Sequence, residues 1–191
     1  MASRSSPDLP AAPGGVSVWP RWLRLGHWLL AGSVILAFAT HEGNETVHQA
    51  LGYGALVVAA LRSVMGFVTR RPQARFDHFV RGPAATLTYA RQVLAGHAPR
   101  FVGHNPLGGW MMLALLANVL ACGFTGWLFT TDRFYGEEWL EELHGLLGHA
   151  FLPLIALHVA GAIHASRQHG ENLVAAMLHG RKRPAAPGDV D

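Results

Sequence analysis

Cysteine and charge are what this 191-residue chain has least of. Its one cysteine, Cys122, lies inside an apolar run, which excludes a disulfide framework and any Cys-x-x-Cys-His attachment motif. Charged residues make up 14% of the chain, against about 25% in soluble domains, while hydrophobic residues reach 50%. So little charge cannot keep so much apolar surface wetted, and a membrane setting follows. The chain also lacks internal repeats, so its apolar runs form one unit rather than an array. That unit has room for four spans of about 20 residues each, plus connectors.

The spans can be read off in order. Residues 1–18 are rich in Ser, Pro, Ala and Gly and have no apolar periodicity, which reads as a disordered tail. The first span opens at Pro20, a favoured first helical position, and runs to Thr40. Its stretch Trp28 to Ala39 ends in Ala37-Phe38-Ala39, like a signal-peptide cleavage site, but the leader before it is long and poor in charge. The second span covers Val47 to Val68, the third Pro106 to Phe129 and the fourth Leu140 to Ala165. In the long connector of residues 69–105, Pro83 to Leu94 predicts a helix on the membrane surface, started by Pro83 and stopped by Gly96. Glu171 to Leu178, followed by Arg181-Lys182-Arg183, reads the same way, and residues 184–191 read as a second disordered tail. The membrane domain is thus residues 19–183.

Charge orients the spans. Fourteen of the 15 basic residues lie in the N-terminal segment, in the inner half of the second span and its connector, or after the fourth span; only Arg133 lies on the other side. By the positive-inside rule both termini and the long connector of this multi-pass protein are cytoplasmic. The opposite loops carry Glu42, Glu45, Asp132, Glu137, Glu138, Glu141 and Glu142, so the outer face is strongly acidic.

Against this apolar background the histidines stand out. His144 and His158 are fourteen residues apart, close to four helical turns, so they leave one face roughly 21 Å apart at about 1.5 Å per residue. Ionisable groups within spans are costly and mark functional sites. His27 lies in the second turn of a span that begins inside, and His48 opens a span that begins outside. By depth, His27 meets His158 at the inner side and His48 meets His144 at the outer side. Two histidines on facing helices of a bundle can supply both axial ligands of one haem. Each also has a small residue four positions on, Ala31, Gly52, Gly148 and Ala162, which leaves room for a flat macrocycle. Arg62 is fourteen residues after His48 and so lies at the depth of the inner site. A lone arginine in a span costs about 2.5–3.5 kcal/mol on insertion scales, and a haem propionate is a natural partner for its forked donors. The plainer alternative is snorkelling to the headgroups.

These residues resemble a known family. Leu25-Gly26-His27-Trp28, His48 followed by Gly52, and Glu142-Leu143-His144 with Leu157-His158 make residues 16–183 similar to the bacterial cytochrome b-561 and nickel-iron hydrogenase cytochrome b family. Phe79-Val80-Arg81-Gly82-Pro83, His104-Asn105-Pro106-Leu107-Gly108-Gly109 and Glu171-Asn172-Leu173-Val174 look like one branch of it. The resemblance implies an all-α integral membrane four-helix bundle holding two non-covalent b haems. The implied iron ligands are His27 and His158 for the inner haem and His48 and His144 for the outer one, with Arg62 at a propionate. It also implies electron exchange with quinone or a periplasmic redox protein, such as a c-type cytochrome or a hydrogenase-like subunit with a basic docking face. A superoxide:quinone oxidoreductase is the alternative within the family. Besides membrane lipids no other partner class is expected, and nucleic acid is not.

The other histidines have plainer readings. His41 is fourteen residues after His27 and rivals His48 at the outer site, but its acidic neighbours place it at the surface. His149 is rotated about 140° from His144 at roughly 100° per residue and faces another helix or lipid. His164 and His169 approach the wetted interface, and His78, His97, His104 and His179 read as surface residues, His104 with the further options of capping the third span or bordering a quinone site. Twelve histidines could instead serve a divalent-metal transporter, but such pathways combine histidine with intramembrane carboxylates or thiolates, and here the carboxylates lie outside the spans.

Overall fold

A computed structural model describes residues 15–190 of the chain. In chain order the elements are β1 (Val16–Ser17), α1 (Arg21–Thr40), α2 (Glu45–Val68), a single 3-10 turn (Pro72–Ala74), α3 (Phe76–Phe79), α4 (Pro83–Leu94), α5 (Pro106–Phe129), α6 (Glu138–His169), α7 (Leu173–His179) and β2 (Arg181–Lys182). Four of them, α1, α2, α5 and α6, are long and apolar enough to cross a membrane. Asparagine side chains open three of the helices: Asn44, Asn105 and Asn172 accept from the backbone N–H of Val47, Gly108 and Ala175. The third span and the surface helix α4 run over the predicted residues. The fourth is longer, starting at Glu138 and ending at His169, where Gly170 takes a left-handed conformation.

The four spans form a bundle in which α1 packs on α2, α2 on α5 and α5 on α6. The backbone of α6 stands off from α1 and α2. The core is small: Ala55 and Ala59 of α2, Phe76 and Phe79 of α3, Leu116 and Val119 of α5 and Phe151 of α6. Large side chains such as Leu36, Val57, Leu61 and Leu157 point outward along the spans, as helices facing hydrocarbon require. Helix α3 was not apparent in the sequence. It is seated against α2 by Phe76, which lies so close over Gly66 that any Cβ there would collide with its ring at 2.4 Å.

The terminal segments close one end of the bundle. β1 pairs antiparallel with β2, Val16 opposite Lys182 and Ser17 opposite Arg181, and Val18 and Trp19 are buried. Of the tail expected at residues 1–18, residues 1–14 lie outside the described residues, and 15–18 belong to this ribbon. The expected tail at 184–191 also differs as far as Val190. Asp189 pairs with Arg100 at 2.5 Å, and the backbone of Val190 bonds on either side of Phe101. The physical reason is a buried charge cluster. Arg100, with its side chain 2% exposed, binds Glu171 at 2.8 Å as well as Asp189, and Lys182 binds Glu171 at 3.4 Å and donates to the carbonyls of Phe101 and Val102. Buried charges persist only when paired and hydrogen-bonded in this way.

Candidate functional site

The structure brings the spaced histidines together in pairs. His27 on α1 faces His158 on α6 with ring centroids 6.3 Å apart, and His48 on α2 faces His144 on α6 at 6.0 Å. With a metal–imidazole bond of about 2.0 Å and a ring radius of about 1.1 Å, two imidazoles on opposite sides of one ion stand about 6.2 Å apart. Both pairs have that spacing, one at each end of the bundle. Among the described residues no group of three or more His, Cys, Asp or Glu side chains converges on one point. A pair leaves the remaining coordination positions to a macrocycle.

The rings near the α1–α2 loop are already oriented. Nδ1 of His48 donates to the carbonyl of Ala37 at 2.9 Å. Nδ1 of His144 lies 3.1 Å from the carbonyl of Cys122 and 3.0 Å from Oγ1 of Thr125, which itself donates to Cys122 at 2.9 Å. With Nδ1 as the donor, Nε2 of each ring is the unprotonated nitrogen that a metal takes, the usual outer-shell arrangement around a ligating histidine. These partners escaped sequence reasoning, because which carbonyl a ring reaches depends on helix rotation. Gly126 is part of the arrangement: a Cβ there would lie 3.0 Å from Cε1 of His144. At Gly52 and Gly148, by contrast, a Cβ would meet nothing within 4 Å. Together with the separation of α6 from α1 and α2, that open space suits a planar group.

The pair near the chain termini has a different environment. Nδ1 of His27, Nη1 of Arg62 and Nδ1 of His104 are all buried without a hydrogen-bond partner. Arg62 lies over the ring of Phe76 at 4.9 Å and reaches Met112 Sδ at 3.5 Å. His104 is not a surface residue; it is packed between the tilted rings of Phe79, 4.5 Å away, and Trp19, 4.7 Å away. Burial, then the positive charges of Arg62 and Lys182, push its pKa down to about 3. Unpartnered donors around two imidazoles fit a cofactor that carries its own carboxylates.

The rival histidines lie apart from these pairs. Nδ1 of His41 bonds the carbonyl of Phe38 and its Nε2 lies 3.7 Å from Glu42, in an exposed turn. His149 is exposed, bonded to the carbonyl of Gly145 and edge-on to Phe38.

Four spans that bring two imidazole pairs together define a helical membrane protein suited to a planar metal cofactor. The model of one family, described as prokaryotic cytochrome b561, matches residues 18–180, and the chain belongs to that family. It is therefore a membrane cytochrome of the b type, binding b haem and serving transmembrane electron transfer. No curated protein and no solved structure matches the chain significantly.

Proposed function

We propose that this cytochrome binds two b haems, one between His27 and His158 and one between His48 and His144. In this reading both termini are cytoplasmic, and the protein passes electrons between a periplasmic redox protein and the quinone pool. When bound, each b haem supplies a one-electron iron couple, and the protein sets its orientation and electrostatics. His48 and His144 present Nε2 because Ala37, Cys122 and Thr125 hold the opposite nitrogen. Arg62 offers an unpartnered, buried Nη1 to a propionate, which favours that reading over snorkelling. The spacing of the two imidazole pairs, 6.3 and 6.0 Å, is the observation that carries the proposal.

Pyridine haemochrome assay and potentiometric titration of single variants provide the test. The parent protein should hold two haems per chain. His27→Ala or His158→Ala should remove one, and His48→Ala or His144→Ala the other. One haem in the parent, or a full complement in any of the four variants, would sink the pairing.

A further inference from the structure

We propose that Arg24 holds the second propionate of the haem between His27 and His158, so that each carboxylate of that haem has its own arginine. This rests on the ligand pairing above and on Arg62 as the first propionate partner.

Four of the described arginines are not exposed: Arg24, Arg62, Arg75 and Arg100. Arg75 is paired with Asp77, and Arg100 with Glu171 and Asp189. Arg24 and Arg62 have no carboxylate within 4.0 Å among the described residues. The buried cluster cannot supply one, since Glu171 and Asp189 are already shared among Arg100, Lys182 and Arg183. Two half-buried guanidinium charges at one end of a bundle therefore lack counter-ions. Retaining such charges is costly unless something anionic joins them.

The geometry around Arg24 points to a carboxylate. Its Nη1 donates to the carbonyl of Leu178, while its Nε is buried and unpartnered. The edge of the guanidinium that includes Nε is one of the faces on which a carboxylate binds through two parallel hydrogen bonds. Arg24 is three residues before His27 on α1, and residues so spaced lie on one face of a helix. Arg62 stands on α2, which packs directly on α1. A merely structural role for Arg24, tying α1 to α7, needs no charge. Trp28 does that work next door, donating from Nε1 to the carbonyl of Met177 at 3.2 Å. Gly180 keeps the site open, because a Cβ there would lie 3.0 Å from Nε of Arg24 and 2.7 Å from the carbonyl of Trp19.

The test uses the purified full-length holoprotein with isotope-labelled haem propionates, read by redox-induced infrared difference spectroscopy and by potentiometric titration of each haem. Arg24→Gln and Arg62→Gln should each shift a propionate carboxylate band, a different band in each variant. Each should also lower the midpoint potential of the haem between His27 and His158 and leave the other haem unchanged. Arg24→Lys should restore most of the potential but not the band position, since it keeps the charge and loses the fork. The double variant Arg24→Gln/Arg62→Gln should lose that haem and retain the other. Unchanged propionate bands and potential in Arg24→Gln would overturn the assignment of Arg24, even if Arg62→Gln behaves as expected. Retention of both haems in His27→Ala would overturn the ligand pairing itself, a separate failure visible before any infrared measurement.

Discussion

At the scale of single residues, the two imidazole pairs differ in how the protein orients them. Thr125 accepts from Nδ1 of His144, and in the proposed ligation this makes the ring a stronger donor to the iron. Thr125→Val removes one of two acceptors and leaves the Cys122 carbonyl. If about 0.5 kcal/mol of that bond differs between oxidation states, the midpoint potential should rise by roughly 20 mV, at 59 mV per 1.4 kcal/mol for one electron. In the proposed two-haem arrangement, a potentiometric titration resolving the haems would measure this; a fall in potential, or a change confined to the haem between His27 and His158, would refute this role of Thr125. His104 supports a different prediction. Its pKa is about 3, below its ordinary value, so the unfolded chain takes up the proton first as pH falls. The stability linked to it is complete above the ordinary histidine pKa of about 6.5 and drains as pH drops toward the folded value. By a pH of about 4.5 the loss is roughly 2–3 kcal/mol. His104→Phe keeps an aromatic ring packed against Phe79 and Trp19 and should flatten the dependence of melting temperature on pH over that window. Parallel pH profiles for parent and variant would rule it out.

At the scale of elements, apolar length made the spans legible. An apolar run of about 20 residues admits one structure in a membrane, and the expected third span and α4 coincide with α5 and α4 as found. The fourteen-residue intervals from His144 to His158 and from His48 to Arg62 could likewise be read, because helical periodicity alone converts them into depth. What could not be read depends on contacts between residues distant in sequence. Arg100 finds Glu171 71 residues away and Asp189 89 residues away, and the two-residue strands β1 and β2 are too short to leave a pattern. Arg24 gave a weak signal, its place one turn before His27, but counted in the sequence only as one of many topological charges. The cluster itself can be tested. Burial alone would raise the pKa of Glu171, but hydrogen bonding and charge from Arg100 and Lys182 outweigh it and leave the pKa below the ordinary value. A carboxylate shifted down stabilises the fold above its unfolded pKa, and that contribution disappears as pH falls through the folded value. Glu171→Gln leaves Arg100 with Asp189 alone and the buried Lys182 without a carboxylate, a change that typically costs about 3–5 kcal/mol. It should detach the terminal segment from the bundle, so that limited trypsin cleavage after Arg181 or Lys182 becomes rapid. Cleavage no faster than in the parent would mean that the ribbon and α7 hold the segment without the cluster.

At the scale of the whole molecule, the two ends of the bundle carry opposite charge. Glu42, Glu45, Asp132, Glu137, Glu138, Glu141 and Glu142 are all exposed, and none lies within 4.0 Å of an arginine or lysine. Tyr135 and Trp139 stand exposed among them, 78% and 52%, and the His48–His144 pair is at this end. A partner that meets an acidic rim with aromatic side chains is most readily a protein with a basic face, whereas superoxide is an anion and would be repelled. Steering of this kind accelerates association at low ionic strength and fades once salt shortens the screening length to about 10 Å at 0.1 M. Stopped-flow haem reduction or oxidation with basic redox proteins, such as a c-type cytochrome, should therefore slow several-fold between low and high salt. Neutralising Glu138, Glu141 and Glu142 to Gln together should give slow, salt-insensitive rates from the start. Rapid superoxide-driven reduction that survives high salt, with no response to any basic redox protein, would reverse the assignment of partner and make the acidic rim irrelevant to docking.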